Sequence, residues 1–60
     1  MQLLTIDGTQ WFCQFAPLCD VLEIHSRRRA WHLWDKQREY IGHFDTKAQL
    51  LEYIAKEGSL

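Results

Sequence analysis

Arg27, Arg28 and Arg29, followed closely by Trp31 and Trp34, are the densest concentration of chemistry in this 60-residue chain. Guanidinium groups bind phosphate oxygens and pair bidentately with guanine, while nearby aromatic rings stack on exposed bases. Lys36 and Arg38 extend the basic run. The first functional expectation is therefore a duplex-binding sheet face built from Arg27, Arg28, Arg29, Trp31, Lys36 and Arg38. The second is a protein-contact patch built from Trp34 and Tyr40, because exposed aromatic side chains concentrate at such interfaces. The net charge of −1 weighs against a purely electrostatic DNA binder, since non-specific affinity rests on many phosphate contacts.

Other reactive side chains form no recognisable set. Cys13, Cys19 and His25 are each separated by five residues, and His32 and His43 follow at longer intervals. Zinc sites use close pairs of ligands, so no metal site or cofactor is expected. The three histidines fall on separate elements, and no Gly-x-Ser-x-Gly, His-Glu-x-x-His or phosphate-cradling glycine loop is present. The chain is read as non-enzymatic. Met1 leads directly into strand-like residues with no basic, apolar leader, and no apolar run reaches membrane-spanning length. A cytoplasmic protein is expected, with Cys13 and Cys19 as free, buried thiols.

These side chains need a scaffold, and sixty residues supply one domain. A chain of this size buries only about 60% of its unfolded surface. Its 47% hydrophobic content, with 3 Trp and 3 Phe, excludes disorder. Asp7-Gly8 between two apolar arms predicts a hairpin over residues 1–16, with Trp11, Cys13 and Phe15 on the core side and Phe12 and Gln14 opposite. Residues 17–25 fit three patterns. Pro17 with Leu18, Val21, Leu22 and His25 suits a helix, Val21 to His25 suits a strand, and a short helical turn from 17 to about 20 could feed a strand from 21; the strand reading is preferred. Residues 30–34 and 39–44 read as strands around a polar turn, completing a strand region over 21–44. Strict alternation puts Trp31 with Leu33 and His32 with Trp34, and sets Tyr40, Gly42 and Phe44 against Ile41 and His43. Gly42 suggests a bulge.

The helix over 46–57 is the clearest element. Thr46 and Gln49 have capping-box spacing, Leu50, Leu51, Ile54 and Ala55 form an apolar stripe, and Gly58 suits the C-terminal stop. Glu52 and Lys56 are placed for an i,i+4 ion pair worth about 0.3 kcal/mol. The predicted fold is α+β: a small antiparallel sheet of four to five strands packed on one C-terminal helix.

The run Tyr40-Ile41-Gly42-His43-Phe44-Asp45-Thr46, with Trp31 on the preceding strand and Tyr53 in the helix, resembles the ethylene-response-factor class of DNA-binding domains. The resemblance covers residues 24–55. That family packs a three-stranded antiparallel sheet on one helix and has relatives in mobile-element endonucleases. The arm-binding domains of tyrosine recombinases share a similar plan. The resemblance implies base contacts from Arg27 and Arg29, and here an additional N-terminal hairpin precedes the shared part. Two roles stand side by side. One is a DNA-binding accessory module, and the other is a small inhibitor or adaptor, of the kind mobile elements encode, acting on a protein target alone or as a homodimer.

Overall fold

Asp7 and Gly8 both sit at positive φ, 51° and 80°. This is the signature of a two-residue primed turn, whose twist matches the strands it joins. Gly8 reaches that conformation without a Cβ penalty. The turn connects β1 (Gln2–Ile6) to β2 (Thr9–Pro17), with Ile6 opposite Thr9 and Leu4 opposite Trp11. In the computed structural model, which describes residues 1–58, the chain continues through α1 (Leu18–Val21), β3 (Arg29–Trp34), β4 (Tyr40–Phe44) and α2 (Lys47–Gly58). The strands form one antiparallel sheet in the order β1-β2-β3-β4. The α+β architecture is as expected, with four strands.

The strand preferred for Val21 to His25 does not form. Pro17 closes β2 at φ −59° and ψ 147°, and the chain then makes a single helical turn, with Leu22 N–H donating to the Leu18 carbonyl at 2.8 Å. Two further backbone bonds, Leu18 N–H to Arg28 O (2.8 Å) and Cys19 N–H to Ser26 O (2.9 Å), fold residues 22–28 back as a loop. A strand here would need a vacant ladder edge. Both edges of β2 and both edges of β3 are already paired, and the backbone bonds from Leu18 and Cys19 tie residues 22–28 to α1, away from the vacant outer edges of β1 and β4. Cys19 lies on this turn and is exposed, contrary to the expectation of a buried thiol; Cys13 is buried, and both are free.

Helix α2 begins as its capping residues dictate. Thr46 Oγ1 accepts from the Gln49 N–H at 3.2 Å, and Gln49 Oε1 accepts from the Asp45 N–H at 3.1 Å. Leu50 and Ile54 are the buried residues of its apolar stripe, and they close over Cys13 and Leu33 at the centre of the sheet. Leu4, Ile6, Trp11, Trp31, Ile41, Phe44 and Tyr53 pack around that cluster. Leu51, expected in the stripe, is 38% exposed. Glu52 and Lys56 make the anticipated pair at 3.6 Å. The helix runs through Gly58 rather than stopping before it.

One irregularity sets the direction of the β4 side chains. Leu33 opposes Gly42, but the next pair is Trp34 with Tyr40, so Ile41 is an inserted residue. A bulge of this kind resets the alternation along a strand. Ile41 joins Phe44 against the α2 core, while Tyr40 moves to the face that carries His32, Trp34 and His43. Strict alternation had grouped Tyr40 with Phe44 and set it against His43; the bulge reverses that assignment.

Candidate functional site

The face of the sheet away from α2 carries a connected cluster of rings. Its foundation is His32, whose parity is opposite to that of Leu33 and which is fully buried. Its Nε2 lies 3.1 Å from the Ala16 carbonyl. A carbonyl can only accept, so Nε2 carries a proton, and in the neutral ring Nδ1 is then the acceptor. Nδ1 is met by the Tyr40 hydroxyl at 3.0 Å. That fixes the direction of the next bond as well: the Tyr40 oxygen, having donated its proton to His32, accepts from His43 Nδ1 at 3.5 Å. A directed chain therefore runs from His43 through Tyr40 and His32 to the backbone of β2. Burial holds the Tyr40 phenol above its ordinary pKa.

Rings pack around this chain. The Trp34 and Tyr40 rings meet edge-on at 5.6 Å, and the His32 ring lies 5.9 Å from that of Tyr40 and 6.1 Å from those of Trp34 and His43. Across the ladder Phe12 opposes Trp34, and the Arg38 guanidinium lies over the Phe12 ring at 5.1 Å. Arg38 reaches that position from a tight turn. Asp35 Oδ1 accepts from the Gln37 and Glu39 N–H groups at 2.8 and 2.9 Å, and Arg38 itself sits at φ 64°. Tyr40 and His43 are exposed, while Phe12 and Trp34 are half-buried.

This arrangement positions a hydroxyl rather than exposing a base. Both nitrogens of His32 are engaged and the ring is sealed from solvent, so it orients the Tyr40 hydroxyl rather than serving as an accessible base. Among the described residues no group of three His, Cys, Asp or Glu side chains could hold a metal ion. A cleft of about 110 Å³, lined by Ile6, Asp7, Thr9, Trp11 and Ile54, lies at the hairpin end. The Trp11 Nε1 is buried there without a hydrogen-bond partner. Among the described residues no helix is long and apolar enough to cross a membrane.

The basic residues singled out in the sequence do not share one face. Arg27 and Arg28 lie in the loop before β3, Arg29 is its first residue, and all three are exposed. The Arg28 guanidinium is ion-paired with Asp45. Lys36 and Arg38 lie beyond the other end of β3, about 17 Å away at strand rise. Trp31 is the clearest correction. It belongs to the α2 side, packed against the core, with the Phe15 ring at 5.1 Å and the Lys47 ammonium over it at 5.6 Å. Its parity with Leu33 dictates this once α2 covers Leu33.

Trp34 and Tyr40 do come together. Sequence reasoning missed Phe12, His32 and His43 as members of the same cluster. His32 and Trp34 share a parity that was legible, but the cross-strand pairing of His32 with His43 depends on the register of β4. No protein-family model, curated protein or solved structure matches this chain.

Proposed function

We propose that this chain is a small, non-enzymatic protein-binding module acting through the uncovered face of its sheet. The observation that carries this reading is the edge-on Trp34–Tyr40 pair, set on a face that α2 leaves open and held by the buried His32. Rigid aromatic side chains supply contact area at little conformational cost, and centrally placed Trp and Tyr dominate binding energy at protein interfaces. Phe12 and Arg38 flank the pair. The complementary partner has an apolar centre bordered by a hydrogen-bond acceptor for Arg38 and a donor for the free Nε2 of His43.

The basic residues support this reading more than a duplex-binding one. Arg28 is ion-paired with Asp45, and Arg38 lies over Phe12 on the aromatic face, at the far end of β3 from Arg27 and Arg29. Affinity capture with the wild-type chain, followed by titration of the purified partner, tests the proposal. Trp34→Ala should weaken binding at least tenfold, while replacing Arg27, Arg28 and Arg29 together with Ala should leave it within about threefold. The opposite pattern, with micromolar binding of a labelled duplex at low salt that the triple replacement abolishes, would sink the proposal and return the chain to nucleic acid.

A further inference from the structure

The outer edge of β1 has no defence against strand addition. Sheet edges are ordinarily blunted by Lys, Pro, a bulge or a covering element. The other edge strand, β4, has its bulge at Ile41 and is flanked by Arg38, Glu39 and Asp45. β1, Gln-Leu-Leu-Thr-Ile, contains no charge, no proline and no bulge, and pairs with β2 without a register shift. The turn at Asp7-Gly8 also determines which backbone groups are open. Residues flanking a two-residue primed turn form a hydrogen-bonded pair, and such pairs alternate with non-hydrogen-bonded ones. Ile6, Leu4 and Gln2 therefore bond to β2, while the N–H and C=O groups of Leu3 and Thr5 point outward.

We propose that β1 pairs antiparallel with β1 of a second copy about a two-fold axis at Leu4, joining two sheets into one of eight strands. This register places Leu3 opposite Thr5 of the second copy as hydrogen-bonded pairs and Leu4 opposite its own equivalent. Each outward-pointing backbone group is then satisfied. Charge favours a second copy as the occupant. The paired segment is uncharged, so no like charges are opposed, and the two Asp7 side chains fall at opposite ends, about 20 Å apart at strand rise. The symmetry keeps both α2 helices on one side. On the other side it carries Leu3, 52% exposed and opposite Phe12 in the β1–β2 ladder, to the dimer seam. The interface is small, and contacts below about 1,200 Å² belong to weak, transient associations. This inference is independent of what binds the Trp34–Tyr40 pair.

Sedimentation equilibrium from 10 µM to 1 mM, with amide hydrogen exchange at both limits, tests it. The expected result is a concentration-dependent dimer in which the Leu3 and Thr5 amides slow at least tenfold at high concentration, while those of Gln2 and Leu4 are protected throughout. Thr5→Pro removes an outward N–H without touching the β1–β2 ladder, and Leu3→Lys places a charge on the edge. Both should give monomers with an unchanged circular dichroism spectrum. A wild-type chain that remains monomeric at 1 mM would overturn the inference. So would a dimer in which the Leu3 and Thr5 amides exchange as fast as in the monomer, whatever the two variants do.

Discussion

The Nδ1 of His32 accepts the hydroxyl proton of Tyr40 at 3.0 Å, joining a fully buried ring to the exposed end of the aromatic cluster. Tyr40→Phe would leave that nitrogen buried and unpaired. An unsatisfied buried polar group costs about 1–3 kcal/mol, so urea denaturation of Tyr40→Phe should show a loss in that range. A loss under about 0.3 kcal/mol would mean that solvent or another donor reaches the imidazole.

Alkaline pH should weaken the fold from the same region. Burial raises the Tyr40 phenol, burial followed by the charge of Glu57 raises Tyr53, and burial raises the Cys13 thiol. Each folded value lies above its unfolded one, so the neutral form is favoured in the native state. The associated stability is complete below the unfolded values, roughly 8.5 for Cys and 10 for Tyr, and is lost as pH rises through the folded ones. Chemical denaturation midpoints should stay level from pH 7 to about 8 and then decline towards pH 11. A rising midpoint over that interval would contradict the assigned environments.

The two cysteines should behave differently towards thiol reagents. Cys19 is exposed on α1, and Cys13 is sealed beneath α2 with a raised pKa. Since the thiolate is the reactive form, a disulfide reagent at pH 7.5 should titrate one thiol promptly and the second only after denaturant is added. Peptide mapping should find the prompt label on Cys19.

Two adjacent leucines provide the sharpest contrast in the helix. Leu50 is fully buried against Cys13 and Leu33, whereas Leu51 is 38% exposed. Leu50→Ala should cost about 2–5 kcal/mol, and Leu51→Ala less than about 1 kcal/mol. Equal losses in thermal or urea denaturation would show that α2 is rotated from its described position.

Local chemistry explains what was legible in advance. Asp7-Gly8, the Thr46–Gln49 cap and the i,i+4 pair of Glu52 and Lys56 are near-neighbour interactions, and each forms as its residue types require. The segment at Val21 to His25 was misread because its outcome depends on which ladder edges are already occupied, a property of the whole sheet. Leu51 was misplaced because two adjacent leucines cannot both face a sheet this narrow. Within the candidate site, Trp34 was singled out as an exposed aromatic, and its parity with His32 puts it on the open face once α2 covers Leu33. Tyr40 shares its face only because Ile41 is inserted, and Trp31 was assigned to the open face because strand periodicity does not reveal which side the helix will cover.

That inserted residue makes chain length, rather than side-chain identity, the determinant of what the open face displays. Surface strands usually tolerate substitution and register poorly against change in length, and here the effect is concentrated at one position. Deleting Ile41 would remove the bulge and leave Tyr40 opposite Trp34 on the same face, whereas adding one further residue beside it would turn Tyr40 towards the helix and uncouple it from His32 without altering any residue of the cluster. In a set of related chains, a one-residue insertion at this position would therefore change what the open face displays with Trp34 and Tyr40 both unsubstituted.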